Sequence, residues 1–438
     1  MKKPTRRHML RAALFGAGGI GLKSLASGIP ISMLMEPTKA HAQESLVSKV
    51  LIMSTSGAGD PLNANVPGTY EDSRIQHSRD PLMAASPLSL GSFATTAARP
   101  WAELPQSVLD RAAFIHHGTY TNAHPNHVKV MRLMGATERN EMLVSLFAKE
   151  LAGPLATVQQ EPISVGARGA GELISFAGRT LSNVSPRALS AALAPGDNPN
   201  LADLRPLRDQ AVDELYQLYK DHGTENQIRL LDRFVISREE ARSISTDLVD
   251  RLSDISGNGV ADQIRAATIL AAMNIAPVIT LHMGFGGDNH TDNEFVKETE
   301  EHVENIPLIG SMMESLDAMR AEGVLRHEVM FANLNVFGRD LMRKGRRGRD
   351  HNGRHHCTVV IGSAMQPGVY GGLRDKGSDM EAAAIDSSTG EASPSGDIPH
   401  EETFQTMAKT LGVALGVDRA RLDEAIDGGQ VLEPALAS

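Results

Sequence analysis

The histidines and carboxylates of this 438-residue chain fall into three groups whose types and spacing suit chemistry. In Gly286-Gly287-Asp288-Asn289-His290-Thr291-Asp292, a carboxylate and an imidazole stand two residues apart. The glycines let the backbone turn sharply beneath them, so both side chains can converge on one divalent cation. In Gly348-Arg349-Asp350-His351-Asn352-Gly353-Arg354-His355-His356, an adjacent Asp-His pair is followed by two more imidazoles. Zinc takes His and carboxylate ligands together and keeps an open position in catalytic sites; manganese and iron suit the same donors. The third group runs from His116 to His127 and holds His116, His117, His124 and His127 with the hydroxyls of Thr119 and Thr121. It lies just before a predicted helix, whose free N–H groups would attract an anion. A hydroxyl there becomes a nucleophile where a metal lowers its pKa. Plainer readings stay open for each group: a polar loop with a surface histidine, an exposed histidine cluster, and helix capping by Thr121 or Asn122.

Short apolar runs predict the elements that must position these groups. Strands are read at 48–53, 112–115, 277–283, 328–334 and 357–362, and helices at 141–151, 260–274, 297–321 and 403–415. Asp60 follows the first strand, the histidine-rich stretch the second, and Asp288 and His290 the third. Asp350 and His351 instead precede a strand. Strands alternating with helices predict an α/β fold with a mostly parallel sheet and helices on both faces. Functional groups in such sheets collect at the carboxyl ends of the strands. A largely helical insertion is read at about 180–260, where Leu215, Leu218, Ile228, Leu231 and Phe234 recur at helical spacing. Residues 61–105 and 378–399 read as irregular connections. There is no Gly-x-Ser-x-Gly elbow and no Walker loop, and Cys357 reads as a small buried hydrophobe.

The ends and the charge bound the address. Thr5-Arg6-Arg7-His8-Met9-Leu10, a short glycine-rich apolar stretch and Ala40-His41-Ala42 read as a twin-arginine signal peptide over residues 1–42. That leaves 43–438 as a single domain in the periplasm or outside the cell, delivered by the twin-arginine export machinery, which carries folded proteins. The leader holds seven Lys/Arg and one Glu, so its removal takes the formal charge from -10 to -16. An acidic chain of this kind excludes nucleic acid as a partner of its overall field. The basic run 343–349 is the local exception. One cysteine excludes an internal disulfide, and no further segment is apolar enough to span a membrane.

Taken in order, the three groups resemble the bacterial domain-of-unknown-function family numbered fifteen-oh-one, placed in the alkaline phosphatase and sulfatase superfamily. The family's Gly-Gly-x-Asp-Thr-His is similar to Gly286-Gly287-Asp288-Asn289-His290. Its Glu-Phe-Gly-Arg, Gly-x-Asp-His and Gly-Gly-His-His stretches are similar to Val336-Phe337-Gly338-Arg339, Gly348-Arg349-Asp350-His351 and Gly353-Arg354-His355-His356. The resemblance implies an alkaline-phosphatase-like fold and two divalent ions, zinc first, then manganese or iron. One ion would be held by Asp60, Asp350 and His351, the other by Asp288, His290 and His355 or His356. Thr121 or Thr119 would be the nucleophile, although Ala123 stands where the reactive Thr of nucleotide pyrophosphatases belongs. Arg349 and Arg354, with Asn122 and His124, would hold the anionic substrate, a small molecule or an envelope polymer. The expected function is a metal-dependent hydrolase of phosphate or sulfate esters. The alternative is a non-catalytic metal- or partner-binding protein on the same fold.

Overall fold

The structure, a computed structural model, describes residues 48–157, 159–166, 174–181, 183–193, 254–342 and 348–437. The leader, residues 194–253 of the expected helical insertion and the basic stretch 343–347 lie outside the described residues. The chain divides into two compact units, residues 40–186 with 258–438, and residues 1–39 with 187–257. Of the smaller unit, 187–193 and 254–257 are described; the former continue the helix Pro186–Leu193.

The larger unit is organised by a seven-stranded sheet. Its strands in chain order are β1 (Val50–Ser56), β2 (Ala112–His117), β3 (Ile163–Val165), β4 (Val278–His282), β5 (Val329–Asn335), β6 (His356–Ile361) and β7 (Gly368–Tyr370). They lie side by side as β7-β2-β6-β5-β1-β4-β3. Every residue of β1, β2, β5 and β6 is buried. Such strands must be covered on both faces, which explains their continuous apolar runs. The cover comes from α1 (Leu143–Leu155), α2 (Val260–Ala272), α3 (Val296–Ala321) and α4 (Thr403–Leu415). Helices α2 and α3 pack on each other, and α2 also packs on β4. Helices α1 and α4 pack on each other and against β4 and β2 respectively.

The fold is α/β, and its sheet is mixed. Strand β1 is parallel to β4, with Ile52 opposite Ile279, and to β5, with Ile52 opposite Phe331. Strand β6 runs against both its neighbours, with Val359 opposite Phe114 of β2 and Val360 opposite Ala332 of β5. A parallel return from β5 would need a long crossover, usually helical. The link from β5 to β6 instead carries a small antiparallel ribbon, Gly338–Arg339 against His351–Asn352. The reversal brings the amino end of β6 to the edge where β2 and β5 end. It therefore places Asp350 and His351, which precede a strand, beside groups that follow one.

Candidate metal centre

Four loops meet at this edge of the sheet. Gly57 follows β1, His124 follows β2, Asp288 and His290 follow β4, and Arg339 follows β5, while Asp350 and His351 lead into β6. The loop after β4 needs its glycines. Gly286 sits at φ +116°, and a Cβ there would meet Pro61 Cγ at 2.7 Å and the Glu298 backbone at 3.0 Å. At Gly353, a side chain would overlap the Thr121 backbone, so the 119–121 and 350–354 segments touch main chain to main chain. Thr119 N donates to Gly353 O at 2.9 Å.

Among the described residues, His124, Asp288 and His351 form a group of three whose ligand atoms all lie within 4.8 Å of one another. His290 and Asp350 adjoin it. His124 Nδ1 lies 2.9 Å from Gly57 O, and His351 Nδ1 lies 2.5 Å from Asn122 O. A carbonyl only accepts, so both rings carry their proton on Nδ1 and turn the Nε2 lone pair inward. Those lone pairs face Asp288, at 3.5 Å from His124 and 3.7 Å from His351. This is how a protein presets a histidine for a metal: the outer nitrogen is tethered and the inner one aimed.

The contact between His290 and His351 sharpens the point. His290 Nδ1 is 2.9 Å from Asp350 Oδ1, which fixes its proton there. Its Nε2 is then 2.7 Å from His351 Nε2 and 3.2 Å from Asp288 Oδ1. Two imidazole lone pairs at that distance repel unless a proton or a cation lies with them. Burial, ahead of the nearby Arg339, His290 and His124, lowers the His351 pKa and keeps the ring neutral. Burial pushes the Asp288 carboxyl up, but the hydrogen bond and charge of Arg339, with His124 and His290, outweigh it and hold Asp288 ionised. Two imidazoles that present Nε2 beside an ionised carboxylate are the donor set that zinc, manganese or iron accepts.

Arg339 organises the centre, yet sequence reasoning gave it no role. Its side chain is fully buried. Nη2 donates to Asp288 Oδ1 and to Ala58 O, each at 2.8 Å, and Nε donates to Gly59 O. Asn63 grips the Arg339 backbone from both sides, accepting from its N–H at 2.8 Å and donating to its carbonyl at 2.9 Å. The signal available was an arginine four residues past a mostly apolar strand.

The other expected site residues make contacts of their own, and among them Asn122 reaches the group through its carbonyl. Asp60 is buried, and its Oδ1 accepts from Phe285 N at 3.0 Å and Gly287 N at 2.7 Å, tying two loops together. His355 and His356 are buried beneath the centre with His116 and His117. His116 Nε2–H donates to Pro67 O at 2.9 Å, His355 Nε2–H donates to His116 Nδ1 at 2.9 Å, and Asn63 lies 3.2 Å from His355 Nδ1. His356 stacks on His117, and its Nδ1–H donates to Cys357 O. Desolvation keeps His116 and His117 neutral with pKa values of about 4, and His356 at about 3.

Arg349 is buried in an ion pair with Glu298, Nε to Oε2 at 2.9 Å and Nη2 to Oε1 at 3.1 Å. Arg354 reaches Glu381. Thr119 Oγ1 donates to Gly353 O, and Thr121 Oγ1 accepts from Asn126 Nδ2 at 2.8 Å. Asn122 contributes its carbonyl to His351, and Asp292 caps α3 through the amides of Lys297 and Glu298. No protein family and no curated protein matches the chain.

Proposed function

We propose that this chain is an exported, metal-dependent hydrolase of phosphate or sulfate esters on an alkaline-phosphatase-like fold, working in the periplasm or outside the cell. Its cation is held by His124, Asp288 and His351, with His290 and Asp350 alongside. The observation that carries the reading is the inward aim of two Nε2 atoms at one ionised carboxylate, each ring tethered through Nδ1. A cation bound there supplies Lewis-acid charge to an ester oxygen. The chain's own residues do the rest. Arg339 fixes Asp288 and joins the β1 loop to it. Asp350 orients His290, which at the exposed rim is placed to pass a proton to or from solvent.

The threonine hydroxyls are engaged with Gly353 and Asn126 rather than with the cluster. The hydrolytic reading therefore uses water, not Thr119 or Thr121, as nucleophile. The same observation favours a second reading, a non-catalytic cation- or partner-binding protein. The test is a panel of phosphate monoesters, diesters and sulfate esters offered to protein purified without chelators. Turnover that chelation abolishes and zinc, manganese or iron restores supports the hydrolase. Bound metal without turnover of any ester leaves the binding protein.

A further inference from the structure

On a different part of the larger unit, the strands Leu373–Asp375 and Met380–Ala382 pair antiparallel with Arg374 opposite Glu381. The Glu381 side chain is 1% exposed, yet three cations end on it. Oε2 accepts from Arg354 Nη1 at 3.0 Å; Oε1 accepts from Arg374 Nε at 2.7 Å and faces Lys376 Nζ at 3.4 Å. One cation would neutralise the carboxylate, so the cluster carries surplus positive charge in a chain of net charge -10. Asp375 pairs with Arg74, which also holds Asp72, so that trio carries one negative charge and reduces the surplus without cancelling it. His400 Nδ1 lies 2.8 Å from Glu401 Oε2 and 3.1 Å from Arg374 Nη2. His400 is kept neutral, first by burial.

We propose that Arg354, Arg374 and Lys376 form an anion site, separate from the metal centre, that takes a phosphate group. The side chains of all three are about half exposed, and each has donors left over after serving Glu381. Guanidinium forks match the oxygens of a phosphate two at a time. Glu381 holds the three long side chains in place before any ligand arrives, so little of their rotamer entropy is lost on binding. Arg354 lies three residues from His351, within roughly 10 Å along even an extended backbone. The site needs no cation and stands whether or not the hydrolase reading does.

The test is calorimetric titration of the protein, in the presence of a chelator, with inorganic phosphate and with glucose 6-phosphate. Saturable binding is expected, weakened about tenfold or more by Arg374→Gln and by Lys376→Gln singly, with Tm unchanged to within a few degrees. Arg99→Gln makes the same charge change at an exposed pair with Glu103 and should leave binding intact. Tighter binding of the ester assigns the site to a phosphomonoester, and equal or weaker binding to the free ion. No saturable binding, or equal loss in Arg99→Gln and in the site variants, overturns the proposal.

Discussion

Replacing Arg349 by Met separates a structural arginine from a substrate-binding one. In the structure its guanidinium is fully buried against an equally buried Glu298. It makes a two-point bond to that carboxylate, donates to Asp340 O at 2.9 Å and to Gln76 O, and lies over the Phe295 ring at 4.3 Å. Methionine fills much of the volume but leaves Glu298 with only Asn65 and Asn289 as donors. Removing one partner of a buried pair costs about 3–5 kcal/mol. At roughly 2 °C per kcal/mol for a large chain, Tm should fall by about 6–10 °C. The double variant Glu298→Gln/Arg349→Met removes both charges, so the two losses should fail to add by about 2 kcal/mol or more. Thermal unfolding of the wild type, both single variants and the double variant reads this directly. An unchanged Tm in Arg349→Met, or losses that simply add, would refute the reasoning. So would a stable variant with a raised KM for an anionic ester.

Two further outcomes follow from buried contacts. His116, His117 and His356 are neutral in the fold with pKa values of about 4, 4 and 3, against 6.5 when unfolded. Their contribution is complete above pH 6.5 and is lost as pH falls toward 4, each adding about 1.4 kcal/mol per pH unit where only the unfolded chain is protonated. Urea midpoints should therefore drop steeply between pH 6.5 and pH 5, and a flat profile would contradict the burial of these three histidines. Gly353→Ala would force the Thr121 backbone away and shift the Asn122 carbonyl that tethers His351. Affinity for zinc, read by competition with a chromophoric chelator, should fall about 10–100-fold; wild-type affinity would show that the tether does not orient the ring.

The strands that organise the fold were legible because central strands buried on both faces carry short apolar runs. The stretches 112–115, 277–283 and 328–334 all lie within or across observed strands, and α4 keeps the bounds 403–415. The edge strands Ile163–Val165 and Gly368–Tyr370 are three residues each, too short to show a period. The hairpin Ala85–Leu90 with Phe93–Ala98 is hidden in a stretch rich in Pro, Ser and small residues.

Asp288, His290, Asp350 and His351 stood out locally because each pair is close in sequence. What sequence could not supply was burial and direction. His355 and His356 look as ligand-like as His351, but they sit at the buried start of β6, opposite β2. His124 differs from its three neighbours only in where the chain after β2 carries it. Arg349 adjoins the Asp350-His351 pair and Arg339 follows β5, and their roles depend on Asp288 and Glu298, 51 residues away in both cases.

Metal content measured on the protein purified without chelators tests the central claim most directly, with His124→Ala, Asp288→Asn and His351→Ala set against Asp60→Asn. The account predicts bound zinc, manganese or iron in the wild type, lost in the first three variants and retained in Asp60→Asn, whose amide oxygen can still accept from Phe285 and Gly287. Loss of the ion in Asp60→Asn with retention in the other three would contradict it.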